Sequence, residues 1–484
     1  MQGTVLNIDL GALTGENISW QLYTTHSVIN LGIWILIFAV CKMAYIFFKK
    51  QYSNIILFIC FMLFAMQICG GIATLTNYYA QRKAANGEKT TDLVLTGENE
   101  YILSDDENVI VFVLDNFANY TLDNQVLLNY SNALDGYSDF TRFDNCNTRY
   151  VGTFPGDIHL LTGYEYDFEE KVETNFENVW QEDSTKGMYE SLDEAGYDIN
   201  IYMDSPEYIC GLKMERIEGV FTNIISIDDG ETAIPRDLIN KFIRLSFYRY
   251  VPHALKASFW TSTGEIAARV TEMRATVPVE ASYDFCESVL SGNMLQKQPV
   301  PKQVKFYMLP GAHGEYLIDH NGTYVPAGTD RIEQGCGYLT VIVEYMEQLK
   351  KLDLYDSSTI VIATDHGSKA YPQGIFLVKR KGETHETMQV SHVPILQKDM
   401  MMTIFDSIGL DYSQFGVSAF DREEDDEMLR YVNFWMKDDS LPDVEGGYNA
   451  SYSYSYTGDG VKLAKELAEG KQPTEIIPLI DSFY

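Results

Sequence analysis

The chain has 484 residues, with 69 Asp and Glu against 36 Lys and Arg, for a formal net charge of −33. That balance excludes a nucleic-acid binder, since no basic face is left to neutralise phosphates. The length calls for one large domain with appendages rather than a single small core.

In chain order, residues 1–26 contain no Lys or Arg and read as a polar extracytoplasmic loop, with further spans expected upstream. Two apolar runs follow, 27–48 and 54–75, each long enough as a helix to cross a hydrocarbon core about 30 Å thick. Lys42 sits close enough to the end of the first run to snorkel. Residues 27–77 are therefore expected to form a transmembrane hairpin. A buried hairpin of a soluble core is the plainer alternative, and a cleaved signal peptide fits worse because a second run follows. Lys49 and Lys50 favour a cytoplasmic loop, while Arg82, Lys83 and Lys89 beyond the second run nearly balance them. Residues 78–105 read as a polar linker.

From Asp106 the pattern changes. Continuous β-rich runs at 108–117, 197–204, 304–314, 358–367 and 374–382 alternate with helical candidates at 185–196, 337–354 and 398–409. Strands without apolar–polar alternation are covered on both faces, and their alternation with helices predicts an α/β fold with a mostly parallel sheet. Residues 106–421 are taken as this domain and 422–484 as a C-terminal cap, in which "YSYSYTGDG" predicts a half-buried strand and turn. Seven Cys occur without any C-x-x-C pair. Cys41, Cys60 and Cys69 lie in the apolar region, whereas Cys146, Cys210, Cys286 and Cys336 are scattered and able to form disulfides in an oxidising compartment.

Ligands of parallel sheets bind beyond the carboxyl ends of strands, where Asp115, His313, Asp365 and His366 fall. Each has a plain reading on its own. Asp115 can start a turn, Asp365-His366-Gly367 can be a polar turn, Thr153 can cap a helix, and His313 can be an exposed turn histidine. His159 and His392 read as structural. Together, Asp115, Thr153, Asp365 and His366 offer two carboxylates, an imidazole and a hydroxyl, a shell for a hard cation in which one ligand doubles as nucleophile.

The runs "NVIVFVLDNF", "YVGTFPGDIHLLTG", "FYMLPGAHGEY", "STIVIATDHGS" and "SHVPILQKDMMMTIFDSIGLDYSQFGVSAFD" resemble the sulfatase-type branch of the alkaline phosphatase superfamily, specifically the membrane-anchored lipoteichoic-acid-synthase-like enzymes. The resemblance covers residues 108–421. It implies an extracytoplasmic catalytic domain on a multi-pass membrane protein and one divalent metal, with Mn2+ expected and Mg2+ or Zn2+ as alternatives. It further implies metal ligation by Asp115, Thr153, Asp365 and His366, a nucleophilic Thr153, and a substrate-binding His313. Three positions depart from the family. Asp115 stands where lipoteichoic acid synthases carry Glu, Gly156 where Ser is common, and Glu315 where the family's "HGPY" has Pro. Sulfate-ester sulfatases need C-x-P-x-R or S-x-P-x-R to make formylglycine, and Thr153-Phe154-Pro155-Gly156-Asp157 cannot supply it.

The implied activity is ping-pong transfer of a phosphoglycerol-type head group from a phospholipid donor in the bilayer to an envelope glycolipid or polymer. A sulfatase-family hydrolase (phosphodiesterase or phosphatase) and an inactive binding protein with this fold are the alternatives.

Overall fold

The computed structural model describes residues 23–47, isolated positions between 49 and 61, and 92–167, 172–211, 213–227, 236–260, 277–368, 371–436, 450–456 and 476–479. The second apolar run, 54–75, lies outside these apart from Asn54, Leu57 and Phe61. The helices used below are α1 (Thr24–Phe47), α2 (Thr153–Thr162), α3 (Asp183–Glu194), α4 (Arg236–Tyr250), α5 (Arg331–Lys351) and α6 (Asp399–Ser407). The strands are β1 (Asn108–Leu114), β2 (Thr141–Phe143), β3 (Tyr197–Tyr202), β4 (Lys302–Leu309), β5 (Ser358–Ala363), β6 (Phe376–Lys379), β7 (Gln389–Ser391), β8 (Arg430–Met436), β9 (Ala450–Tyr456) and β10 (Ile476–Leu479).

The chain divides into two compact units, Met1–Asp92 with Ser226–Thr276, and Leu93–Ile225 with Val277–Tyr484. Segment 226–276, in the middle of the expected 106–421 domain, thus groups with the N-terminal residues. In that unit α1 is long and apolar enough to cross a membrane, and almost none of its apolar length is buried.

The larger unit is built on a seven-stranded sheet in the order β7-β2-β6-β5-β1-β4-β3. β5, β1, β4 and β3 are mutually parallel, and β7 is parallel to β2. The sheet is the mostly parallel one expected, but β6 runs antiparallel to both β5 and β2. Such a pairing leaves no local mark, because β6 is as apolar and as fully buried as its parallel neighbours.

β1 shows why its sequence is apolar without alternation. Val109, Val111 and Val113 join one core cluster, while Ile110, Phe112 and Leu114 join the other. Helices α2, α3 and α6 cover the first face, through residues such as Ile158, Leu192 and Phe405. Helix α5 covers the second, through Leu339, Ile342 and Leu349. Each of the six β1 side chains is at most 1% exposed, and burial of that extent contributes about 1.5–3 kcal/mol per side chain. Cys146, Cys210, Cys286 and Cys336 are buried free thiols, so the disulfides the sequence allowed do not form.

The C-terminal strands form an antiparallel sheet, β8-β9-β10. The predicted Tyr–Ser strand is β9, and its turn, 457–460, lies outside the described residues. β8 does more than cap. Its Asn433 N–H donates to the Arg149 carbonyl at 2.7 Å, and the Val151 N–H donates to the Asn433 carbonyl at 3.0 Å. The cap thereby fixes the segment leading into Thr153.

Candidate functional site

Register places the site. Parallel pairing sets Val113 of β1 beside Ala363 of β5 and Leu114 beside Leu309 of β4, so all three strands leave the sheet along one edge. Asp115, Asp365-His366 and the turn at 310–314 therefore emerge together, although 250 residues separate the two aspartates.

Beyond β1 the backbone turns sharply, with Asn116 at φ +55°. Its N–H donates to Asp365 Oδ1 at 3.0 Å, and the Phe117 N–H donates to Thr364 Oγ1 at the same distance. Thr364 Oγ1 in turn donates to the Leu114 carbonyl at 2.6 Å. The two strand ends are thus stitched together by backbone and hydroxyl bonds. Gly311, at φ +54°, lies under this junction, where a β-carbon would come within 2.6 Å of the Leu114 carbonyl carbon.

Asp365 and His366 are 1% and 6% exposed. The His366 Nδ1 lies 2.7 Å from the Gly367 carbonyl. A carbonyl only accepts, so Nδ1 carries a proton, and Nε2 faces inward, able to hold either a cation or a second proton. Nε2 sits 3.1 Å from Asp115 Oδ1 and 3.6 Å from Asp365 Oδ2. Those two oxygens are buried and accept no hydrogen bond. Lone pairs facing lone pairs in a dry pocket need a positive charge among them.

Ligand atoms from Asp115, Asp365 and His366 all lie within 4.8 Å of one another, a cluster of the kind that can hold one metal ion. The donor set fits such a cation. The carbonyl bonded to Nδ1 is the outer contact that orients a metal-bound histidine.

The two carboxylates' demand for positive charge also shows in the protonation of the site, since it favours a second proton on the ring. Burial, and then the neighbouring Asp115, push Asp365 up to about 7. His366 is pushed up to about 9, since burial, which lowers it, is outweighed by the Asp365 and Asp115 carboxylates.

Thr153 is not a cap. Phe154 is non-helical (φ −92°, ψ 122°), so regular helix begins beyond it. The Thr153 Oγ1 instead donates to Asp115 Oδ2 at 3.3 Å. His313 lies at the rim, its side chain 54% exposed and Nδ1 3.9 Å from the same oxygen. All five sequence candidates meet at one place. His159 and His392, read as structural, lie elsewhere. The first is buried in α2 with Nδ1 on the Tyr164 carbonyl, and the second is exposed and paired with Asp144.

Two of the departures have local causes. A β-carbon on Gly156 would sit 2.6 Å from the Asp365 carbonyl oxygen, so α2 approaches the site too closely for serine. Glu315 holds φ +63°, which a proline ring, locked near −65°, cannot adopt.

Sequence reading missed Asp157. It is 2% exposed, with Oδ1 unpartnered, and is held far above the usual carboxylate range by burial and by Asp365 and Asp115. The signal was weak in "TFPGD", because an Asp in the first turn of a helix already has a local reason to be there. Gln397 was missed as well. It donates to the Thr364 and Asp365 carbonyls from just before α6.

No protein-family profile matches the chain, and no curated protein is similar to it in sequence. Solved structures do resemble it. A phosphonate monoester hydrolase from Silicibacter pomeroyi is 12% identical, covering 73% of this chain and 87% of its own, with a TM-score of 0.41. A lipoteichoic acid synthase from Listeria monocytogenes is also 12% identical, covering 80% and 96%, with a TM-score of 0.40. An alkaline phosphatase superfamily protein from Vibrio parahaemolyticus is 10% identical, covering 81% and 86%, with a TM-score of 0.41. Likenesses this distant say nothing of what the chain acts on.

Proposed function

We propose that the chain belongs to the sulfatase-type branch of the alkaline phosphatase superfamily and works as a membrane-anchored, metal-dependent phosphotransferase. Its nucleophile is Thr153, its donor a phospholipid with a phosphoglycerol-type head group, and its acceptor a hydroxyl of an envelope glycolipid or polymer. One observation carries the reading. A hydroxyl, two carboxylates with orphaned buried oxygens and an inward-facing imidazole nitrogen converge on one cation-sized space.

Asp115, Asp365 and His366 would hold the cation, with Thr153 Oγ1 completing the set. When bound, a divalent ion at such a site supplies positive charge that eases loss of the hydroxyl proton and offsets charge on phosphate oxygens. The chain's own groups do the rest. Asp115 Oδ2 holds the Thr153 hydroxyl and accepts its proton. The Thr153 oxygen forms a bond to phosphorus as the bond from phosphorus to the diacylglycerol oxygen breaks. His313, exposed at the rim, is placed to give a proton to that leaving oxygen. The acceptor hydroxyl then gives its proton to His313 and bonds to phosphorus as the bond from phosphorus to the Thr153 oxygen breaks, and the proton held by Asp115 returns to that oxygen. The absence of any formylglycine precursor favours phosphoryl over sulfuryl chemistry. With a net charge of −33, long-range attraction cannot gather an anionic substrate, so binding falls to the site itself.

The test is intact-mass analysis of the full chain in detergent, acid-quenched after incubation with Mn2+ and phosphatidylglycerol, beside Thr153→Ala and Asp365→Ala. A phosphoglycerol adduct on Thr153, absent in both variants, is expected, as is loss of stoichiometric metal in Asp365→Ala. Bound metal with donor consumed but no adduct would favour the hydrolase. A folded protein that takes up no metal would favour a binding role.

A further inference from the structure

In a chain of net charge −33, residues 236–260 carry Arg236, Lys241, Arg244, Arg249 and Lys256 against Asp237 alone. Helix α4 opens this stretch. Leu238 and Tyr248 are buried, with Lys241 and Leu245 half-buried beside them, which sets the inward face. On the outward face, Ile239, Phe242, Ile243, Phe247 and Tyr250 are 45–59% exposed. At about 100° per residue these five span an arc of about 140°, broken only by Ser246, whose hydroxyl donates back to the Phe242 carbonyl, with Arg249 beside one edge and Arg244 beyond the other. Leu255, on the turn that follows, is also exposed. A soluble domain rarely leaves five large apolar side chains side by side on one helix.

The same unit holds a second observation, which says what covers this face. The 3-10 turn His253–Phe259, directly after α4, docks on the first turns of α1. His253 Nδ1 lies 2.7 Å from Ser27 Oγ, and the His253 N–H donates to Asn30 Oδ1 at 3.1 Å. α1 is the apolar helix of spanning length. Its 24 residues measure about 36 Å, slightly more than a hydrocarbon core of about 30 Å. A turn packed over Ser27 and Asn30 therefore sits at one edge of the core, where Tyr and Trp side chains suit the interface. α4 is tied to that level, with its apolar arc exposed and arginines flanking it.

We infer that α4 lies in the bilayer surface. Its apolar arc enters the acyl boundary, and Arg244 and Arg249 meet anionic phospholipid head groups. The inference is independent of the phosphoryl-transfer reading but rests on α1 spanning the membrane. An amphipathic helix of this kind binds by buried apolar area together with electrostatic attraction to anionic lipid.

The test replaces Phe247 with p-benzoylphenylalanine in the full chain, reconstituted in nanodiscs of equal parts phosphatidylcholine and phosphatidylglycerol. The same substitution is made at Trp34 on α1. After irradiation, mass spectrometry is expected to find lipid adducts at 247 and 34. Phosphatidylglycerol should be over-represented at 247, by up to about five-fold per arginine, and Arg244→Gln with Arg249→Gln should abolish that excess. Lipid at 34 but cross-links from 247 to another stretch of the chain or to a second copy would overturn the inference, as would no adduct at 247. Lipid at neither position would show instead that α1 does not span, and both would fall.

Discussion

A β-carbon at position 156 would sit 2.6 Å from the Asp365 carbonyl oxygen, and that carbonyl is also held by Gln397. Neither partner is free to yield, so Gly156→Ala must shift the backbone that carries a proposed metal ligand. The expected cost in stability is about 1–3 kcal/mol, as for other overpacked sites. Metal affinity is expected to fall by roughly 10–100-fold, as when groups that orient ligands are disturbed. Isothermal titration with Mn2+ beside a urea melt separates the two. An unchanged affinity would show that α2 and the Asp365 strand end are not in register-critical contact. Sequence alone made Gly156 a bare departure from a familiar pattern, because the group it must avoid lies more than 200 residues away.

Among elements, β8 had no visible connection to the chemistry, yet it braces the approach to Thr153. Arg430 is fully buried there, its Nη1 donating to Asn145 Oδ1 at 2.6 Å. Asn145 also donates to the His392 carbonyl, so the arginine ties the cap to the strand segment ahead of Thr153. Arg430→Met preserves bulk but removes that donor. It should cost about 1–3 kcal/mol by leaving a buried acceptor less well satisfied. It should also slow adduct formation on Thr153 even well below the melting temperature. Urea midpoints and the time course of the mass shift check the two effects. A slower time course at unchanged stability would still support the bracing role, whereas an unaltered one would remove it. Charged residues in a terminal acidic stretch look solvated in sequence, and only the packing shows that this arginine is not.

For the molecule as a whole, His159 ties stability to pH. Burial pushes it down to about 3, so the folded protein keeps it neutral, whereas an unfolded chain protonates it near 6.5. A folded value depressed below the unfolded one contributes stability that is complete above about 6.5 and is lost as pH falls from there towards 3. The slope reaches about 1.4 kcal/mol per pH unit. Denaturant melts between about pH 7 and 5 should fall more steeply for the native chain than for His159→Asn, whose amide can still donate to the Tyr164 carbonyl. Equal slopes would place the imidazole in contact with water. The residue's structural role was legible from "GDIHLLTG", since a His on the apolar side of a short helix is usually buried.

Much of the larger unit was readable before any coordinates. Val- and Ile-rich runs without alternation predicted strands covered on both faces, and the side chains of β1 do divide between two cores. Aspartates at strand exits marked the edge where the site lies. These features are local, since the period of a run reports how many of its faces meet water. What the sequence left open depends on which strands pair and in what register. The antiparallel course of β6, the grouping of 226–276 with α1, and the meeting of Asp115, Thr153, His313, Asp365 and His366 all follow from contacts between residues far apart in the chain. Local propensity is blind to such contacts, because their energy exists only once the partner has arrived. The sequence by itself determined the strand and helix types and the chemistry available. Only tertiary packing decided that two carboxylates, an imidazole and a hydroxyl share one space at the strand ends.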